Sequence, residues 1–123
     1  MTMLLNIEGI DVRYGRNHAV KNVSLNIADG EIVTVLGANG AGKSSLLKAI
    51  QGTVKPPNGS IIFKGENINR WSAPKRVQSG LVMVPEGRQI FISMTVEENL
   101  LMGAYSRKNV DVTSEIETIF ERF

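Results

Sequence analysis

The stretch LGANGAGKSS, Leu36 to Ser45, sets three glycines, at 37, 40 and 42, directly ahead of a lysine and two serines. Glycine tolerates backbone angles that other residues avoid, so such a loop can turn several N–H groups inward. Inward N–H donors at the start of a helix form an anion site, because the helix carries partial positive charge there. Lys43 adds a point charge for the outer oxygens of a phosphate chain, and Ser44 offers a hydroxyl to a magnesium ion. Upstream, EIVTVL is apolar on both faces apart from Thr34, the pattern of a strand buried in a parallel sheet. Downstream, Leu46, Leu47 and Ile50 give one apolar helical face, and Gly52 suits the helix end.

The spacing Gly37-x-x-x-x-Gly42-Lys43-Ser44, between strand and helix, is that of a P-loop. Working outward, Leu5, Ile7, Ile10 and Val12 alternate loosely with polar residues, and Val23, Leu25 and Ile27 alternate cleanly, as half-buried strands do. Asp29-Gly30 favours a tight hairpin turn. KPPNGS reads as a turn, SIIFKGENI as a short hairpin bending at Gly65, and WSAPKRVQSG as a short helix capped by Ser72 with Pro74 in its first turn. GLVMV predicts a second fully apolar strand, followed by a loop from Pro85 to Ser93. Thr95 and Glu98 form a capping box ahead of NLLMGAY, so the Glu97-Glu98 pair belongs to a helix start. Ile116, Ile119, Phe120 and Phe123 share one helical face.

The bulk composition suits one soluble domain at most: 123 residues, 42% hydrophobic and 21% charged. No cysteine is present, which excludes disulfides and cysteine-built zinc sites. No apolar run reaches the roughly 18–20 residues of a membrane span, and the N-terminus lacks a signal-peptide pattern. The net charge of +2 comes from scattered basic residues, and aromatics are only 6%, so no nucleic-acid-binding face is expected. His18, in a predicted loop, reads as a surface residue, Trp71 as a cover on the edge of a core, and the dispersed methionines as packing.

Tyr14 lies upstream of the P-loop, and VMVPEGRQIFISMTVEENLLMGAY runs from Val82 to Tyr105. On these features and the P-loop the chain resembles, over essentially its whole length, the nucleotide-binding subunit of an ABC transporter. The resemblance implies an α/β fold, the P-loop NTPase (ABC ATPase) fold, truncated, with an antiparallel β subdomain at its N-terminal side. It implies ATP and Mg2+ as ligands. Tyr14 would stack on adenine; Gly37, Asn39, Gly40, Ala41, Gly42, Lys43, Ser44 and Ser45 would hold the phosphates; Ser44 and Glu86 would face the metal. The family usually carries glutamine at the position of Glu86. A carboxylate can still hold magnesium, but it cannot donate a hydrogen bond to the terminal phosphate.

VPEGRQIF followed by TVEENLLMGAY resembles the branched-chain amino acid importer branch, with the urea or amide importers as the neighbouring alternative. The implied partners are membrane-embedded permease subunits and a second ATP-binding subunit, and the implied place is the cytoplasmic face of the membrane. Apolar Ile90, Phe91 and Ile92 in the predicted loop suggest the permease contact. Other parts of the family pattern do not occur in this sequence. There is no L-S-G-G-Q signature, no second apolar strand ending in Asp-Glu, and no histidine after the P-loop. IETIFERF resembles the opening of the family's helical subdomain. Residues 1–123 are therefore expected to be the N-terminal part of a single nucleotide-binding domain, ending early in the helical subdomain. No complete catalytic set is expected, and the alternative to an active subunit is a truncated nucleotide-binding product without turnover. A further reading, an ABC-type ATPase without a membrane partner, would call for a second nucleotide-binding domain. In the resembled fold the segments Ile32–Leu36 and Leu81–Val84 are not adjacent, so the chain alone is expected to be poorly stable.

Overall fold

The computed structural model describes residues 2–37, 42–107 and 111–123. They divide into two compact units, Met1–Met83 and Val84–Phe123.

In the first unit, strands β1 (Met3–Tyr14), β2 (Asn17–Ala28), β3 (Ser60–Phe63) and β4 (Glu66–Asn67) form one antiparallel sheet in the order β2-β1-β3-β4. The loose alternation in β1 has a structural cause. Ile7 pairs with Leu25 and Ile10 with Val23, so β1 holds one extra residue there. Gly9 sits in this bulge at φ 59°, a left-handed conformation that glycine adopts at little cost. The bulge resets the pleat, so Leu5 and Ile7 before it and Ile10 and Val12 after it all enter the core. Ile7, Ile10, Val12 and Ile61 are 0% exposed. Burying each such side chain contributes about 1.5–3 kcal/mol. Val23, Leu25 and Ile27 of β2 pack at the margin of this core, half-buried as their alternation predicts. Lys64 (φ 50°) and Gly65 (φ 84°) make the β3–β4 turn, the paired positive angles of a tight hairpin.

Helix α1 (Lys43–Gln51) ends at Gly52 (φ 99°), whose N–H returns to the Lys48 carbonyl. Its buried residues are Leu46 and Ala49; Leu47, expected on the inner face, is 47% exposed. Small Ala49 is instead fully buried in the core, with Ile50 at its margin. Helix α2 (Ala73–Gln78) begins at Ser72, whose hydroxyl accepts from Lys75 N–H at 3.3 Å. Trp71 packs beside the core with the Lys75 ammonium 4.4 Å from its ring centre.

Two expected core strands are absent. Residues 31–37 and 81–85 carry no strand, and within them Ile32 is 95%, Leu36 87% and Val84 92% exposed. Apolarity gives a segment reason to be covered, but a strand also needs a neighbouring backbone, and among the described residues neither segment has one. For the same reason Asp29-Gly30 makes a turn without closing a hairpin onto the residues after it.

The second unit contains helices α3 (Val96–Gly103) and α4 (Thr113–Arg122). The capping box forms as predicted: Thr95 N–H donates to Glu98 Oε1 at 3.0 Å and Glu98 N–H to Thr95 Oγ1 at 3.1 Å. Arg107 and Glu115 make a two-pronged ion pair at 2.5 and 2.8 Å, tying the turn after α3 to the first turn of α4. Of the apolar face of α4, only Ile116 is buried; Ile119, Phe120 and Phe123 are 38%, 52% and 98% exposed.

Candidate functional site

Gly42 is the N-cap of α1 and supplies no side-chain hydrogen bond. The first N–H groups of the helix, which have no partner within it, are therefore not taken up by the cap. Gly42 is held at φ 93°, and a Cβ there would run into the Ala19 carbonyl oxygen, so only glycine fits. The Lys43 ammonium donates to the Gly37 carbonyl.

Beside this helix end lies an open depression of about 270 Å³, lined by Tyr14, Asn17, His18, Ala19, Gly42, Lys43, Ser44 and Ser45. The β1–β2 hairpin carries the first four and α1 with its cap the last four. Tyr14, expected as the aromatic contact, thus stands in one depression with Lys43, Ser44 and Ser45. Asn39, Gly40 and Ala41 lie outside the described residues. Glu86 belongs to the second unit and is exposed. Among the described residues no group of three or more histidine, aspartate, glutamate or cysteine side chains gathers as a metal site.

Sequence reading missed Asn17 and Ala19. The signal was available: Tyr14 pairs with Asn17 across a two-residue turn, so a hairpin at Gly15-Arg16 carries both into the depression. His18 is not a loop residue, as expected, but part of β2. Its Nε2 lies 2.7 Å from Asp11 Oδ1, and its side chain is 22% exposed. Asp11 also accepts from Asn22 N–H at 3.0 Å and Asn58 Nδ2 at 2.5 Å. The Asn22 N–H, then the His18 ring and Asn58, hold this carboxyl below its ordinary value.

Curated relatives similar to the chain include the following three. The high-affinity branched-chain amino acid transport ATP-binding protein BraG of Pseudomonas aeruginosa is 37% identical over 120 residues, covering 98% of this chain and 52% of BraG. The hemin import ATP-binding protein HmuV of Shewanella denitrificans is 37% identical over 102 residues, 83% of this chain and 40% of HmuV. The galactose/methyl galactoside import ATP-binding protein MglA of Salmonella typhimurium is 33% identical over 112 residues, 91% of this chain and 22% of MglA. The chain thus spans at most about half the length of these relatives.

Among solved structures, an ATP-binding cassette of an ABC transporter in its ADP conformation matches with TM-score 0.63 and 28% identity, over 65% of this chain and 32% of that one. A bacterial ABC transporter cassette solved as a dimer matches with TM-score 0.75 and 24% identity, over 91% and 51%. The fold is that of the ABC ATPase cassettes, a P-loop NTPase fold, with an antiparallel sheet at its N-terminal side. The ABC transporter family model matches residues 20–123, and the chain belongs to that family.

Proposed function

We propose that this protein binds Mg-ATP and is the ATP-binding subunit of an importer, with branched-chain amino acids as the transported class. The observation that carries the nucleotide reading is the depression at the start of α1, where the uncapped Gly42, Lys43 and Ser44 stand with Tyr14. A triphosphate suits these donors: N–H groups and an ammonium meet its oxygens, and stacking of a base on Tyr14 adds about 1–3 kcal/mol. The Ser44 hydroxyl would face the magnesium ion, and Glu86 keeps the metal-side role that the family resemblance implies. Asn39, Gly40 and Ala41 complete the loop in this reading, and the Gly37 carbonyl accepts from Lys43.

The family supports ATP hydrolysis as the driving reaction. Phosphoryl transfer needs several positioned groups at once. Residues 1–123 contain no signature motif, no Asp-Glu strand end and no later histidine, so we expect this chain alone to bind nucleotide without turning it over. The reading places it at the cytoplasmic face of a membrane beside permease subunits and a second ATP-binding subunit. No helix among the described residues is long and apolar enough to cross a membrane. Ile90, Phe91 and Ile92, exposed by 63%, 53% and 92%, suit docking onto a permease. Cross-links from cysteines placed at these three positions should reach the membrane subunit; none from any of the three would remove that contact.

The similarity to BraG and the VPEGRQIF segment favour branched-chain amino acids, whereas HmuV and MglA carry hemin and galactose names. The test is uptake in cells with the gene deleted and restored. Leucine uptake should fall on deletion and return with the gene. Intact leucine uptake with loss of urea, hemin or galactose uptake would replace this substrate with that one.

A further inference from the structure

Arg76 is the buried charged residue of the described chain, 2% exposed. A guanidinium has five N–H donors, and each here ends on a backbone carbonyl. Nε donates to Trp71 at 3.2 Å, Nη1 to Ala49 and Ile50 at 3.0 and 2.8 Å, and Nη2 to Ile68 and Asn69 at 2.8 and 3.4 Å. Burial lowers its pKa from the ordinary arginine value, and no carboxylate among the described residues pairs with it.

These carbonyls belong to two parts of the fold. Ala49 and Ile50 are in the last turn of α1, where carbonyls lack helical partners and a cation complements the negative end of the helix. Ile68, Asn69 and Trp71 lie between β4 and α2, a segment fixed to the sheet: Asn69 Oδ1 accepts from Ile61 N–H at 2.8 Å and its Nδ2 donates to Gly59 at 2.9 Å. Gly52 keeps the room, since a Cβ there would sit 2.9 Å from Arg76 Nε. Apart from this link α1 rests on the core through buried Leu46 and Ala49, with Ile50 packed at the margin. Its nine residues span about 14 Å, so a shift at the Arg76 end moves Lys43 and Ser44 with it.

We infer that Arg76 is a positioning residue for the phosphate site: it fixes the tilt and axial position of α1, and so where the helix N-terminus, Lys43 and Ser44 meet the phosphates. The inference rests on the nucleotide reading above.

The experiment compares wild-type full-length protein with Arg76→Lys and Gly52→Ala. Lysine keeps the charge but cannot reach both sets of carbonyls; alanine at position 52 keeps the Arg76 side chain but crowds its Nε and strains the helix end at φ 99°. Affinities for Mg-ATP and for tripolyphosphate, which lacks a base to stack on Tyr14, are measured well below the unfolding midpoint, and the midpoint is recorded separately. Arg76→Lys should weaken both ligands by the same factor, because both meet the same helix N-terminus, Lys43 and Ser44, and displaced charge-assisted contacts cost about tenfold or more in affinity. Gly52→Ala should act in the same direction, several-fold. A folded Arg76→Lys variant with a lowered midpoint but wild-type affinity for both ligands would overturn the inference. If Arg76→Lys does not fold, unchanged affinities in Gly52→Ala would overturn it equally. Wild-type protein that binds neither ligand would instead remove the nucleotide reading itself.

Discussion

Strand β1 and the segment at residues 31–36 both carry the branched apolar residues that strands favour, and the fold treats them oppositely. Ile7, Ile10 and Val12 are 0% exposed, whereas Ile32 and Leu36 are 95% and 87% exposed. Their neighbours differ: β1 is paired along its length with β2 and at Leu5–Glu8 with β3, while residues 31–36 have no ladder partner among the described residues. Side-chain character decides which surface gains from burial, and pairing decides whether there is a strand to bury. Residues 90–92 make a third case, apolar and exposed yet shaped by polar bonds.

The sharpest break between the first two would come from matched truncations. Ile7→Ala should cost about 2–5 kcal/mol, the usual range for emptying a filled core position. Ile32→Ala should stay within about 0.5 kcal/mol, as surface changes do. Urea unfolding of the chain of residues 1–123, which carries this contrast, measures both. Equal losses would mean that Ile32 is covered as Ile7 is, and the contrast would fail.

Next in size is the loop at residues 90–95. The Asn99 side chain accepts from Phe91 N–H at 2.9 Å and donates to Phe91, Met94 and Thr95 carbonyls at 3.1, 3.4 and 2.8 Å. It therefore holds the loop without burying Ile90 or Ile92. Asn99→Ala removes both the acceptor for Phe91 N–H and the donor to the three carbonyls, a loss of about 1–3 kcal/mol if these groups stay unsatisfied. Hydrogen exchange at the Phe91 amide should accelerate about tenfold or more, while the middle of α3 keeps its protection. Unchanged Phe91 exchange would mean that packing, not Asn99, shapes this loop.

Much of this was legible in the sequence. The P-loop spacing, the β3–β4 turn at Gly65, the Ser72 cap and the Thr95–Glu98 box are local features, each set by residues a few positions apart. What sequence reading lost depends on distant groups. Of the apolar face read as Leu46, Leu47 and Ile50, Leu47 was misplaced and Ala49 overlooked, because helical periodicity does not tell a small buried residue from a large one at the edge of a core. Arg76 looked like one of a scattered basic pair, since its partners are backbone carbonyls with no sequence mark. His18 passed for a loop residue because its partner, Asp11, lies across a hairpin that the sequence reading did not place. The strands at 31–36 and 81–84 were read from apolarity alone, which carries no information about pairing.

The smallest predicted effect is in acid. Asp11 holds its proton less tightly folded than unfolded, its pKa being lowered first by Asn22 N–H and then by His18. Its contribution is therefore present above the ordinary aspartate value, about 3.9, and is lost as pH falls through the lower folded value. Glu98, Asp111 and Glu115 are lowered too, so the wild-type slope is shared. Asp11→Asn should be less stable at neutral pH and should show a shallower loss between about pH 5 and 2. Parallel curves for variant and wild type would exclude a role for Asp11 in acid stability.

The central claim, that the start of α1 is a phosphate site, is tested most directly by Mg-ATP titration of the full-length protein and its Lys43→Ala variant. Lys43→Ala removes the ammonium from the start of α1, where the partial charge of a helix end has to meet a highly charged ligand alone. We predict saturable binding by the wild type and a loss of about tenfold or more in the variant, a charge-assisted contact of about 1.5–3 kcal/mol, with any ATP turnover abolished. Equal affinity and equal turnover in the two proteins would contradict the account.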